Sequence, residues 1–171
     1  MSDTARLWPL QSQCDDFYGN PRGRGGAASS LWEAANIVRV KPPFVLRYDG
    51  APVSGVRVHK KCAEAFGRVF GRIWEAAGHD QAVIDAWGVS IYGGAYNYRL
   101  MRGSARLSMH AWGCAIDLDP DRNAFHDVTP AFARPPQSAV VAAFEAEGAT
   151  WGGRWSGRAC DGMHFQFARV G

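Results

Sequence analysis

The chain has 171 residues, of which 47% are apolar and 20% are charged. This length and apolar content are typical of one folded domain with a buried core, and they exclude an intrinsically disordered chain. The 19 lysines and arginines outnumber the 16 acidic residues and give a net charge of +3, but they are scattered singly along the sequence. We therefore expect no nucleic acid partner, because such a partner requires a concentrated basic patch.

No segment contains the run of apolar residues that a membrane span requires, and residues 1–18 lack the apolar core of a signal peptide. We therefore expect cytoplasmic synthesis without a signal peptide and no membrane insertion. We also expect a monomer. The cysteines show no CxxC spacing, which favours free thiols over a disulfide. The four cysteines are Cys14, Cys62, Cys114 and Cys160.

The first half of the chain begins with an N-terminal arm and loop over residues 1–30, in which the Gly-, Arg- and Ser-rich segment 20–30 is predicted to be an exposed loop. Two edge strands are predicted at 36–40 and 44–48, because the prolines between them cannot donate to a central ladder. Apolar residues then recur every three or four positions over 58–77, which predicts an amphipathic helix.

The second half mixes strands, turns and one further helix. The sequence predicts a strand at 87–92 that leads into a two-glycine turn, then strands at 114–118 and 163–167, with a helix over 138–147 between them. The 20 glycines favour a fold with many turns. Interspersed helices and short strands, without regular βαβ units, predict an α+β fold.

Two segments concentrate residues that can bind metals or transfer protons: 108–117 (SMHAWGCAID) and 161–164 (DGMH). Because side chains alternate along a strand, His164 and Gln166 are expected on one face and the flanking phenylalanines on the other. His110 precedes the strand at 114–118, so its imidazole can approach the same face. On spacing alone, a purely structural role for these histidines remains open.

Two imidazoles and one carboxylate form a three-ligand set that leaves a tetrahedral zinc ion with an open position for water. His110, Asp117 and His164 provide such a set if they converge. Asp161 lies three positions before His164 in a glycine-containing turn, which makes it the candidate general base. The spacing is therefore compatible with a catalytic Zn²⁺ site, and a structural role for the histidines stays the alternative at this point.

The pattern Ser-x-His-x-x-Gly-x-Ala-x-Asp over 108–117, paired with acid-x-x-His over 161–164, resembles the VanY-type D-alanyl-D-alanine carboxypeptidases and the related L-alanyl-D-glutamate endolysins. The segments 94–99 (GAYNYR) and 151–155 (WGGRW) are similar to the endolysin branch. The resemblance covers residues 87–167. It implies a single zinc peptidase domain over 1–171 with the Hedgehog/DD-peptidase fold, a small antiparallel sheet with flanking helices.

The same resemblance implies a role for each matching residue. His110, Asp117 and His164 correspond to the zinc ligands, and Asp161 corresponds to the catalytic base. Carboxypeptidase members commonly carry Glu where this chain has Asp161. The shorter acid is more similar to the endopeptidase branch.

Substrate contacts are also implied. Arg99 matches best the arginine that holds the substrate carbonyl in this family, with Arg102 as the alternative, and either residue can instead be structural. Ser108 is expected to support the first ligand or the substrate by hydrogen bonding. Trp151 and Trp155 flank a Gly-Gly-Arg loop and are expected to form walls of the cleft.

The resemblance therefore implies a zinc-dependent peptidase that hydrolyses an amide bond in the peptidoglycan stem peptide, as an L-Ala-D-Glu type endopeptidase similar to phage or prophage endolysins. Such an enzyme reaches the cell wall after release by a lysis or export system. A D-Ala-D-Ala carboxypeptidase is the alternative within enzymes. A second alternative, of another class, is a non-catalytic zinc-containing binding module.

Overall fold

The structure is a computed structural model that describes residues 7–171, so the first six positions of the predicted arm lie outside the described range. Within residues 7–171 there are five α-helices: α1 Cys14–Tyr18, α2 Ser30–Asn36, α3 Ala63–Ala76, α4 Gln81–Trp87 and α5 Ser138–Ala146. The strands are β1 Ile37–Val40, β2 Arg47–Tyr48, β3 Ala51–Pro52, β4 Val56–His59, β5 Tyr92–Gly94, β6 Ala115–Leu118, β7 Thr150–Trp151 and β8 His164–Gln166. None of the described helices is long and apolar enough to cross a membrane.

The strands form three small antiparallel sheets. The largest has the order β5-β6-β8-β7, and β1-β4 and β2-β3 each form a pair. The predicted α+β class is therefore confirmed, as are the strands near 114–118 and 163–167 and the helix that begins at Ser138. The Hedgehog/DD-peptidase fold stays a prediction.

The helix predicted over 58–77 begins later than expected, at Ala63. Val58 and His59 belong to β4, where they pair with Val38 and Ile37 of β1. Residues 56–59 alternate between buried valines and an exposed arginine, which is the two-residue period of a strand. The first residues of the helical pattern therefore belong to a strand that pairs with β1.

The strand predicted over 87–92 is also wrong over most of its length. Trp87 ends α4, which begins after Asp80, whose side chain accepts a hydrogen bond from the backbone N–H of Ala82. Gly88 then takes a left-handed conformation with φ of 82° that ends the helix. Only Tyr92 of the predicted segment lies in a strand, and the two glycines after it continue β5 rather than forming a turn.

An aromatic core covers one face of the four-stranded sheet. Phe165 of β8 stacks on Phe144 of α5 with ring centroids 4.1 Å apart, and Phe167 meets Phe66 of α3 edge to face at 4.9 Å. All four rings are fully buried. The phenylalanines therefore anchor β8 on this face, and His164 and Gln166 project from the other face.

The described part of the N-terminal arm packs onto the domain. The Tyr18 hydroxyl donates to the Phe167 carbonyl at 2.6 Å, and the Trp8 indole donates to the Glu147 carbonyl at 2.7 Å. The backbone N–H of Gln11 donates to the Arg169 carbonyl at 2.9 Å. These contacts hold the arm against the residues that follow β8 and α5. The segment 22–27 of the predicted loop is exposed, as expected.

All four cysteines are free and buried, which confirms the expectation of free thiols. Burial raises the pKa of the Cys62 thiol to about 12, so this group stays protonated and unreactive at neutral pH. The Cys14 thiol packs against the sulfur of Met109 at 3.8 Å, and the Cys114 thiol donates to the Met109 carbonyl at 3.3 Å. These thiols behave as core residues.

Candidate metal centre

A short 3₁₀ turn over Met109–Trp112 carries the first histidine of the site. The Ser108 side chain begins this turn by accepting a hydrogen bond from the backbone N–H of His110 at 3.4 Å. Gly113 ends this turn in a left-handed conformation with φ of 70°. A Cβ added there would lie 2.8 Å from the backbone nitrogen of His59. Glycine is therefore required where the chain turns from His110 into β6.

The antiparallel register of β6 and β8 brings together the other two residues. Asp117 lies directly opposite His164. Opposed residues of an antiparallel pair project from the same face of the sheet. The Asp117 carboxylate and the His164 imidazole therefore meet, with Oδ1 and Nδ1 2.9 Å apart.

The three side chains converge on one point. His110 Nε2 lies 3.2 Å from Asp117 Oδ1 and 3.2 Å from His164 Nδ1, and all three atoms lie within 4.8 Å of one another. Among residues 7–171 this is the one cluster of three or more His, Cys, Asp or Glu side chains with that geometry. The structure thus brings together the three residues that the sequence singled out as ligands.

The outward nitrogen of each imidazole has its own acceptor. His110 Nδ1 lies 2.7 Å from the Ala95 carbonyl, and His164 Nε2 lies 3.0 Å from the side-chain oxygen of Gln166. Partners of this kind hold the proton on the outer nitrogen and leave the inner lone pair for a metal ion. Two imidazoles and a carboxylate are ligands that Zn²⁺ prefers, so the donor set fits this metal.

Electrostatics couple the carboxylate to the two imidazoles. Burial by itself raises the pKa of Asp117, but hydrogen bonds and charge from His110 and His164 outweigh it and hold that pKa well below its usual range. Burial lowers the pKa of His164, and the neighbouring Asp117 carboxylate more than offsets this effect and raises it. Asp117 is therefore ionised and available as an anionic ligand.

Asp161 lies in the turn before β8, close to the cluster. Its Oδ1 atom is buried and has no hydrogen-bond partner within the described part of the chain. Burial raises the pKa of this carboxyl, and the charge of Asp117 raises it further, while His164, His110 and Arg99 act in the opposite direction. A carboxyl with a raised pKa beside a metal-competent cluster is suited to accept and return a proton.

The two candidate arginines occupy different positions, and both are exposed. The charge of Arg99 acts on Asp161, and its guanidinium donates to the Leu100 carbonyl at 3.3 Å. The guanidinium of Arg102 lies over the Phe125 ring, 5.8 Å from its centroid. Phe125 in turn pairs with Asp161 in a backbone bridge. Arg99 is thus the arginine whose charge reaches Asp161, whereas Arg102 contacts Phe125, the residue that pairs with Asp161.

The two candidate tryptophans, Trp151 and Trp155, lie in different surroundings. Trp151 is 4% exposed and belongs to the core, which corrects the expectation that it forms a wall of the cleft. It lies opposite Phe165 in the β7-β8 pair and therefore shares the core face of the sheet, where the two rings stack. Trp155 lies beside the cluster, with its ring 5.8 Å from that of His164.

Two groups that hydrogen-bond to the imidazoles were not predicted from the sequence to have this role. The Ala95 carbonyl is a backbone group, so no residue type indicates it. Gln166 shares a strand face with His164 in the sequence pattern, and this parity is the signal that could identify it.

One comparison with known proteins matches the segment that carries the three candidate ligands. Residues 102–167 match the sequence model of a family described as D-alanyl-D-alanine carboxypeptidase. The expected VanY-type resemblance is therefore confirmed over this segment, and the class of protein that it indicates is a peptidase. No match was found among curated proteins or among solved structures. The matched segment includes Arg102, Ser108, His110, Asp117, Asp161 and His164.

Proposed function

We propose that this protein is a zinc-dependent peptidase that hydrolyses an amide bond in the peptidoglycan stem peptide, with the L-Ala-D-Glu bond as its target. The observation that carries the proposal is the convergence of His110 Nε2, Asp117 Oδ1 and His164 Nδ1 within 4.8 Å. The buried, unpartnered carboxylate oxygen of Asp161 adds a proton acceptor at the same place.

His110, Asp117 and His164 would hold the zinc ion through those three atoms. When bound, zinc supplies Lewis acidity that polarises a carbonyl and acidifies water. Asp161 accepts the proton of the water that attacks the substrate carbonyl, and then delivers it to the leaving amine nitrogen. Arg99 donates hydrogen bonds to the carbonyl oxygen as this atom gains negative charge, with Arg102 as the alternative donor.

The endopeptidase assignment is supported by the short acid Asp161 and by the segments 94–99 and 151–155, which are similar to the endolysin branch. On this proposal the protein acts in phage or prophage lysis, after a lysis or export system has released it to the wall. A carboxypeptidase is the second candidate, because the matching family is described as D-alanyl-D-alanine carboxypeptidase. A non-catalytic binding module is disfavoured, because it has no use for the buried and unpartnered Oδ1 atom of Asp161.

Digestion of purified peptidoglycan followed by mass spectrometry of the muropeptides tests the proposal. Cleavage between L-Ala and D-Glu is expected, whereas loss of a single terminal alanine supports the carboxypeptidase and no cleavage supports the binding module. The variant Asp161→Asn should keep one zinc ion and lose about 10²- to 10⁴-fold in activity, the usual contribution of a general base. His110→Ala should lose both. Asp121→Asn changes an exposed acid outside the cluster and is the matched control.

A further inference from the structure

Gln166 is the buried polar side chain next to the cluster that the proposed chemistry does not use. It is 1% exposed and lies two positions after His164 in β8. Its side-chain nitrogen donates to the Ala168 carbonyl at 2.8 Å, and its side-chain oxygen faces His164 Nε2 at 3.0 Å. The side-chain nitrogen of Gln11 also approaches this oxygen, at 3.4 Å.

These contacts determine which way the amide points. Only the NH₂ group of glutamine can donate to the Ala168 carbonyl, because two carbonyl oxygens in that position would repel each other. The amide oxygen must therefore face His164, where it can only accept a hydrogen bond. His164 Nε2 must then carry a proton, and the lone pair of a neutral ring must lie on Nδ1.

We infer that Gln166 is a positioning residue that fixes the tautomer and the ring orientation of His164, so that Nδ1 faces Asp117 and His110. The inference rests on the proposed function in one respect, namely that the cluster holds a metal ion. For His110 the corresponding acceptor is the backbone carbonyl of Ala95, which no substitution removes. Gln166 is thus the one side chain that sets the outer hydrogen bond of either imidazole among residues 7–171.

The variant Gln166→Met tests this role, because it keeps the length and volume of the side chain and removes the acceptor. The measurement is the zinc dissociation constant, obtained by competition with a chromogenic chelator. Loss of a hydrogen-bond partner of a metal ligand weakens metal binding by about 10- to 100-fold, and we expect a change in this range. The variant Gln166→Glu keeps an acceptor for the Nε2 proton and loses the donor to the Ala168 carbonyl, so it should be less stable than wild type and still recover most of the zinc affinity.

Gln11→Leu is the matched control. It removes the weaker donor to the same amide and leaves the hydrogen bond between Gln166 and His164 intact, so its zinc affinity should stay within about twofold of wild type. Thermal unfolding of each variant without metal separates the two possible roles. If Gln166 is purely structural, both Gln166→Met and Gln166→Glu lower the melting temperature, and glutamate does not restore the zinc affinity.

A nuclear magnetic resonance spectrum of the zinc-loaded protein adds a direct readout. The Nε2 proton of His164 should give a slowly exchanging signal in wild type and in Gln11→Leu, and it should exchange rapidly in Gln166→Met. Wild-type zinc affinity in Gln166→Met would overturn the inference and leave the proposed function standing. Failure of the wild-type protein to bind zinc at all would instead overturn the proposed function.

Discussion

Buried histidines occur in two regions of this molecule, and their surroundings differ in one respect. In β4, His59 is 1% exposed, and both of its ring nitrogens meet the backbone: Nε2 donates to the Tyr18 carbonyl at 2.9 Å and Nδ1 accepts from the Lys61 N–H at 3.1 Å. At the candidate metal centre, His110 and His164 are also buried, but each has one nitrogen that faces another candidate ligand.

The difference teaches how to separate a structural histidine from a metal-competent one. Burial lowers the pKa of His59 to about 4, and the charges of the two lysines that follow it lower it further, while the hydrogen bond with the Tyr18 carbonyl acts in the opposite direction. The pKa of His164 is instead raised, because the Asp117 carboxylate more than offsets burial. Burial alone does not discriminate between the two kinds of site. The partners of both ring nitrogens do.

The largest expected effect comes from making the same substitution in each region. His164→Gln should lose zinc and at least roughly a thousandfold in peptidase activity, because Lewis-acid stabilisation supplies several kcal/mol of the barrier reduction. His59→Gln should keep both, since an amide can still donate to the Tyr18 carbonyl. Zinc stoichiometry and muropeptide release measure the two outcomes. Equal losses in both variants would contradict the comparison.

The pH dependence of stability should identify His59 as well. Its folded-state pKa of about 4 lies below the ordinary value of 6.5, so the unfolded chain binds more protons between these values. The contribution of His59 to the free energy of unfolding is therefore present above pH 6.5 and is lost as the pH falls to about 4, by on the order of 3 kcal/mol.

Denaturant titrations at several pH values measure this loss as a difference between wild type and His59→Gln. The variant should have the flatter profile. His79→Gln replaces an exposed histidine just after α3 and should leave the wild-type profile unchanged. A difference of the same size for His79→Gln would show that burial of His59 is not the cause.

Zinc should stabilise the protein through one region only. At a free zinc concentration about 100 times the dissociation constant, the free energy of unfolding should rise by about 2.7 kcal/mol. The same increase is expected for His59→Gln and none for His164→Gln. Thermal denaturation with and without zinc measures the increase, and stabilisation of His164→Gln would indicate another zinc site.

A smaller effect should come from Gly113, the residue that joins the two regions. The Gly113 carbonyl accepts the backbone N–H of His59 at 2.8 Å, and its left-handed conformation ends the turn that carries His110. Gly113→Ala should lower the free energy of unfolding by at least about 1–2 kcal/mol through backbone strain. The close approach of its Cβ to the backbone nitrogen of His59 adds to this cost and should also weaken zinc binding.

Gly71→Ala is the control for this prediction. Gly71 lies within α3 and has open space where a Cβ would be placed, so alanine there should stabilise the protein by about 0.5–1 kcal/mol. Urea denaturation of both variants gives the two signs. Equal stability of Gly113→Ala and wild type would remove the proposed link.

Sequence reasoning succeeded where one local period decided the outcome. The alternation over 163–167 predicted which residues of β8 face the core and which face His110. It failed at Val58, because that residue fits both a helical and a strand period, and only pairing with the distant β1 decides between them. It failed at Trp151 for a similar reason, since register with β8 determines the face on which that ring lies.

The four buried thiols can report when the structure around each of them opens. A thiol reagent reaches a buried cysteine only when the surrounding structure opens, so the labelling rate measures the free energy of that opening. Cys14, Cys62 and Cys114 lie within the main hydrophobic core, whereas Cys160 is buried outside it, directly before Asp161. The labelling rates of the core cysteines therefore measure global unfolding, and that of Cys160 measures opening of the segment next to the candidate base.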